Sequence, residues 1–311
     1  MAFGYQVLGF GSGGANITEE FDYLVIAGGG AGAGSIGGGG GAGGFRTSYP
    51  GGTKIEVTGG DTIQIGAGGV AVYPGAGADR ISGIGENAFA GTNLTSQGGG
   101  VNNSNNAYPA EPNESATNKS VRDGGSGAGG GHQFSYSVGA GNVPPVSPSQ
   151  GYPAGGPSGN WGASGGGGHG GAGGAQGNTA YSSPGGNGGI GTANSITGAS
   201  VSRAGGGGGG AFVAGGTGGP GTSGGGTGGT DPGGQGTSGS VNTGGGAGGA
   251  CGSLTPGPLQ YSGQGGSGLV VLRMATASAP ANIDCTPGTN TKTTDGSDTV
   301  LTFTVTGKLV L

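Results

Sequence analysis

Gly185-Gly186-Asn187-Gly188-Gly189-Ile190-Gly191 decides how this chain is read. Its side chains fall at every third position and the residues between are glycine. His169, Ala172 and Ala175 repeat the spacing, and so do Thr217, Pro220 and Ser223. A polyproline-II-type helix has three residues per turn and no internal hydrogen bonds, so every third residue points the same way. Each tract then has one face carrying side chains and two bare faces. A buried N–H or C=O must find a partner, and only a residue without a Cβ lets a neighbouring backbone come close enough to supply one. A single tract is a floppy linker. Many packed together form a hydrogen-bonded lattice with almost no conventional hydrophobic core.

Enough tracts are present: 28–44, 124–131, 162–177, 185–191, 205–210, 215–229, 233–252 and 263–268. Turns between them are marked by pairs such as Asp231-Pro232 and Ser183-Pro184. Glycine supplies 94 of 311 residues while charged residues make up 7%, a composition that first suggests disorder. A net charge of −5 is too small to hold the chain open, and strand sequences bound the tracts at both ends. Collagen is excluded because the register breaks often and only 16 residues are proline. The expected fold class is mostly irregular and β: a bundle of polyglycine-II (PPII-like) helices framed by short β-strands, with almost no α-helix.

The framing strands read clearly. Phe21–Ala27, with Tyr23 and Val25, leads into the first tract, and Gly268–Arg273 closes the last. Thr53–Val57 and Asp61–Ile65 alternate apolar and polar residues around a Gly59-Gly60 turn, the pattern of a hairpin. At the end of the chain, Leu301, Phe303, Val305, Leu309 and Leu311 alternate with Thr302, Thr304, Thr306 and Lys308. That two-residue period gives a strand with one apolar face. It either folds back into its own domain or completes a sheet in a neighbouring subunit, since an open apolar edge invites aggregation.

The chemistry of the chain is sparse. Nine basic residues scattered singly give no nucleic-acid footprint, and no run approaches the length of a transmembrane helix. Gly-x-Ser-x-Gly contexts at Ser164 and Ser223 lack the strand-to-helix turn and supporting residues of a nucleophile elbow. His132 and His169 are too far apart to start a metal site, and His169 shares a face with Ala172 and Ala175 that suits an exposed lattice edge. Cys251 and Cys285 form either one bridge or two free thiols. No catalytic, cofactor or metal residues are expected, and the chain reads as a non-enzyme.

Two polar stretches interrupt the lattice, 101–123 and 132–161. They carry Tyr108, Phe134, Tyr136, Tyr152 and Trp161 and are expected to project as loops, with Phe134 and Tyr136 read as capping the lattice in a small local core. Exposed aromatics give large contact area at low entropic cost, which makes Tyr108, Tyr152 and Trp161 the candidates for receptor binding.

Several motifs in order resemble the glycine-rich proteins of tailed bacteriophages, many of them tail fibre or adhesin components. They are Asp22-Tyr23-Leu24-Val25-Ile26-Ala27-Gly28-Gly29-Gly30, Gly40-Gly41-Ala42-Gly43-Gly44-Phe45-Arg46, Ile65-Gly66-Ala67-Gly68-Gly69, Ala204 with six glycines after it, Asn242-Thr243-Gly244-Gly245-Gly246 and Gly266-Ser267-Gly268-Leu269-Val270-Val271-Leu272-Arg273. The resemblance covers residues 17–275, the expected lattice domain. It implies a virion-surface, extracellular protein whose partners are other virion proteins, a host receptor or glycan, and further copies of itself, with no nucleic acid and no membrane insertion. Residues 1–16, with Phe3, Tyr5, Leu8 and Phe10, look similar to short docking segments of phage structural proteins. In many relatives a segment like Leu301–Gly307 precedes the Tyr-Leu-Val-Ile-Ala-Gly strand, whereas here it lies in a C-terminal extension, 276–311. The expectation is that this tail pairs beside Phe21–Ala27 of its own or the next subunit. The second arrangement gives a head-to-tail filament, the alternative to a tail fibre tip, beside a capsid decoration or head-fibre role.

Overall fold

The computed structural model describes residues 17–34, 36–71, 85–91, 94–101, 121–131, 138–156, 162–176, 183–212, 215–252 and 261–311. Among them the only helical element is a 3-10 turn, Thr276–Ser278, and the expected class holds. The strands in chain order are β1 (Thr18–Ile26), β2 (Phe45–Thr47), β3 (Ile55–Thr58), β4 (Thr62–Gln64), β5 (Ala88–Ala90), β6 (Leu94–Ser96) and β7 (Thr192–Asn194). They continue with β8 (Val201–Arg203), β9 (Leu269–Ala275), β10 (Asp284–Thr286), β11 (Thr291–Asp295), β12 (Asp298–Phe303) and β13 (Gly307–Val310).

Two antiparallel sheets face each other. The first runs β11-β12-β9-β1-β2, with β3 also on β1, and the second runs β10-β13-β4-β5-β6. Alternation along β1 sends Phe21, Tyr23 and Val25 into the space between them, where they meet Leu272, Phe303 and Ile63. The other face of the first sheet is covered too: Leu24, Ile26 and Val271 pack on Phe45, Ile196, Ala42 and Ala204. Burial on both faces explains the unbroken apolar run Leu24-Val25-Ile26. A conventional core therefore exists, contrary to the expectation from composition. It sits in the frame, where side chains are large enough to fill it, and the lattice begins where β1 ends and finishes where β9 begins.

The tract 37–44 lies at the centre of the lattice. Its N–H groups leave in three directions with a three-residue step. Gly40 and Gly43 donate to Ala247 and Gly244, both at 2.8 Å, and Gly39 and Ala42 donate to Ser164 and Gly167 at 3.1 and 3.0 Å. Gly41 and Gly44 donate to Gly100 and Gln97 at 3.0 and 2.7 Å. Its carbonyls receive from three further tracts: Gly30 donates to Gly41, Gly207 to Gly40 and Gly129 to Gly39. Six extended helices thus surround one, and only the 164–167 neighbour runs parallel to it. A Cβ at Gly39 would run into the Gly207 carbonyl, and one at Gly40 into that of Gly30. Each bond contributes about 0.5–1.5 kcal/mol net, so the lattice gains its stability from their number.

Four expected features differ in the structure. The tracts 28–44, 162–177, 215–229 and 233–252 are not single rods but hairpins of two. Gly165 donates to Gly174, Gly228 to Gly219, and Gly248 to Thr237. Ser223 and Gly224, with φ of +46° and +92°, make one of the reversals. β3 and β4 do not form a hairpin: the turn at Gly59-Gly60 sends β3 to β1 and β4 to β13 and β5. The C-terminal strand breaks in two, because the buried Asn290 side-chain oxygen captures the N–H groups of Thr304 and Val305 at 2.9 and 3.2 Å. The tail also lies beyond β9 rather than beside β1, with Leu301 opposite Leu272 in the same chain.

Candidate functional site

The lattice has two ends, which its hydrogen-bond ladders define. Phe45, Ala204, Thr243 and Leu269 mark the end joined to the frame. Ala33, Gly37, Gly210 and Ala250 mark the far end: Gly210 donates to Gly37, which donates to Ala250, which donates to Ala33.

At the frame end the side chains lock elements together. The Phe45 and His169 rings stack at 4.5 Å. His169 Nδ1 lies 2.6 Å from Thr192 Oγ1, and Nε2 lies 3.2 Å from the Ser149 carbonyl. Burial lowers the His169 pKa, with the hydrogen bond to Ser149 opposing it. His169 is therefore not an exposed edge residue; it sits at a chain reversal and its ring turns onto β2. Gln150, 1% exposed, accepts from Gln97 N–H and donates to the Pro144 carbonyl, both at 2.9 Å.

Arg273 is the second lock. Its Nη1 donates to Asp295 at 2.8 Å and to the Ile196 carbonyl at 2.9 Å, its Nε donates to Asp298 at 2.9 Å, and the guanidinium lies over Tyr49. Burial works against its charge, but the bonds it donates to Asp295 and Asp298 outweigh that and raise its pKa.

Several tracts run from the frame toward the far end. The described stretches that close at Ala71, Val101, Gly131, Gly156, Gln176, Phe212 and Gly252 all run toward it, so the connections that follow them begin on that side. Val101 donates to the Val121 carbonyl, Ser164 to Gly130, and Gly252 to Ala211, tying flank to flank at different depths: Val101 stands abreast of Gly40 and Ser164 of Gly39, while Gly252 lies past Gly37. Tyr108 and Trp161 belong to these connections and lie outside the described residues, as do Phe3, Tyr5, Leu8 and Phe10. Tyr152 is described and 46% exposed. It does not join the far end: residues 151–156 form a lattice tract, with Tyr152 donating to Gly168 in the half nearer the frame. The stretch 132–161 is thus not one projecting loop.

The remaining sequence candidates have structural places. Tyr23, Val25, Leu301, Phe303 and Leu309 are buried in the core between the sheets, with Leu311 packed against it. Val305, 40% exposed, stands on the corner between β12 and β13. Cys251 and Cys285 are two buried free thiols, in the lattice and in β10, so the bridge is not formed. Ser164 Oγ accepts from Gly130 N–H at 2.7 Å and Ser223 Oγ from Gly191 N–H at 3.2 Å; His169 is bonded to neither. Among the described residues no group of three His, Cys, Asp or Glu is placed to hold a metal ion, and no helix is long and apolar enough to cross a membrane. The locks at Gln150, Asn290 and Arg273 carry no local sequence signal, because each depends on at least one partner in another element: Gln97, Thr304 and Ile196 respectively.

Comparison of the chain with protein-family models, with characterised proteins and with solved structures returned no match.

Proposed function

We propose that this chain is a virion structural protein of a tailed bacteriophage, a tail fibre or fibre-tip component that presents loops to a host receptor or glycan. The observation that carries the reading is that the described tracts closing at Val101, Gly131, Gly156, Gln176, Phe212 and Gly252 all run toward the lattice end opposite the β-frame. A cross-linked glycine lattice is a rigid mount, and rigid mounts with loops at one end are a recurrent way to build a recognition surface. The sequence of the connections that follow includes Tyr108 and Trp161, aromatic side chains of the kind that dominate binding surfaces. The reading makes the protein a non-enzyme at the virion surface, with other virion proteins as its attachment. The head-to-tail filament has less support, because β12 and β13 are already paired within the chain.

Binding of the purified full chain to a panel of bacterial envelopes and a glycan array tests the proposal. Retention by at least one envelope, reduced on Trp161→Ala or Tyr108→Ala with unchanged thermal unfolding, supports it. Binding that both substitutions leave intact counts against the far end as the recognition surface.

A further inference from the structure

One side of the lattice carries four tracts in a row: 171–176, 184–190, 216–222 and 225–230. Gly174 donates to Asn187 at 2.7 Å, Gly188 to Pro220 at 2.9 Å and Gly228 to Gly219 at 2.9 Å, so each tract adjoins the next. The tract 184–190 shows how the row ends. It donates inward from Gly186 and Gly189 to Ala163 and Gly166, and Gly189 accepts from Gly206. On the remaining side stand Pro184, Asn187 and Ile190, all exposed, Ile190 at 59%. The other three tracts repeat the arrangement with Ala172 and Ala175, Thr217 and Pro220, and Thr227 and Thr230, each exposed. In the inner tract 205–210, by contrast, every residue is glycine.

We propose that these outward side chains are stops that close the lattice and keep the glycine helices of a second copy from adding to it. Lattice growth requires a backbone to approach within hydrogen-bond distance, and a Cβ removes that space. The interior shows the rule directly: a Cβ at Gly188 would strike the Gly206 carbonyl, and one at Gly208 the Gly219 carbonyl. Pro184 and Pro220 also have no N–H to offer a newcomer. The Thr230 hydroxyl turns inward and accepts the Gly218 N–H at 3.0 Å, occupying a donor at the margin. Charge does not keep copies apart here, since Arg203 and Asp231 are the only charged residues between Asp123 and Arg273. The stops do for a glycine lattice what proline, bulges and charge do for the open edge of a sheet.

The test uses the full chain carrying Asn187→Gly, Ile190→Gly and Thr217→Gly, with sedimentation velocity over a range of concentrations. The expected result is a concentration-dependent species heavier than the wild-type one, with the circular dichroism spectrum retained. A companion with alanine at the same three positions keeps each Cβ and is expected to sediment as wild type. A folded glycine variant that sediments as wild type overturns the proposal. So does an alanine companion that associates as strongly, which would make lost side-chain bulk, not the Cβ, the cause. Should the triple glycine variant fail to fold, Ile190→Gly alone, at the end of its tract, is held to the same two outcomes.

Discussion

The rings of Phe45 and His169 stack with their planes 24° apart, joining the first residue of β2 to a reversal in the lattice 124 residues later (169 − 45). A neutral imidazole carrying its proton on Nε2 satisfies both neighbours at once: Nε2–H donates to the Ser149 carbonyl and Nδ1 accepts from the Thr192 hydroxyl. Burial favours that neutral form.

A pH dependence follows from it. His169 in the unfolded chain takes up a proton near its ordinary value of 6.5, while in the folded chain it does so only at lower pH. The unfolded state therefore binds more protons in the window between the two values. The contribution of His169 is fully present above 6.5 and is lost as pH falls toward the folded value. Urea unfolding midpoints should drop between pH 8 and pH 5, about the span over which a histidine titrates. His169→Gln should flatten that slope, and an unchanged slope would assign it to other groups.

The lattice and the loops should respond very differently to one added methyl group. Gly39→Ala places a Cβ against the Gly207 carbonyl at the centre of the bundle and is expected to cost about 3 kcal/mol or more, the upper range for overpacking. Gly288→Ala meets nothing within 4 Å and should leave the thermal midpoint in place. Comparable effects at the two sites would mean that the tracts are not in backbone contact.

Arg273 holds the C-terminal hairpin to the frame through two carboxylates. Both partners are partly exposed, at 43% for Asp295 and 30% for Asp298, so each contributes less than a fully buried pair. Asp298→Ala is expected to lower stability by about 1–2 kcal/mol, the range for a hydrogen bond to a charged group reduced by solvent screening. Removing both carboxylates should cost more than the sum of the single changes, because the guanidinium then has no anionic partner. Additive losses in chemical denaturation would show that the two act separately.

The tail belongs to the core of the frame. Phe303 is fully buried between the sheets, and Phe303→Ala should cost about 3–5 kcal/mol. A chain ending at Ala275 loses β10 to β13 and is expected not to give a soluble folded product. A stable, fully folded truncation would contradict the pairing of β12 with β9.

Both thiols should be silent in the native protein. Burial pushes the Cys285 thiol up to about 11, with Asp284 adding to the effect, and raises Cys251 as well. Alkylation at neutral pH should label neither cysteine until the chain is denatured, then both, with or without prior reduction.

Much of this was legible in the sequence, and the limits have physical causes. The three-residue period at Gly185–Gly191 and the strands around Tyr23 and Val270 identify the lattice and its frame, because both periods are local. What lies across the chain was not legible. Leu301 to Leu311 reads as one strand, since nothing nearby reveals that Asn290 takes two of its N–H groups. Gly162–Gly177 reads as one rod, since a reversal at His169-Gly170 looks no different from a helix in a chain of glycines. The far-end grouping of connections emerges only once the ladders assign each tract a direction. Tyr152, sequence neighbour to Trp161, shows how a shared stretch can serve different parts of the fold.

The central tract 37–44 also constrains the order in which this protein can be made. Among its six neighbours, those at 126–129, 164–167, 207–210 and 244–250 follow it by more than 80 residues (126 − 44 = 82). A ribosome therefore releases the hub long before its surroundings exist. Topologies dominated by such distant contacts fold slowly and expose unfinished surface while they do. The hub cannot be enclosed before residue 250 has been made, and a bare glycine segment waiting that long is tolerable because it presents almost nothing hydrophobic for a stray chain to hold.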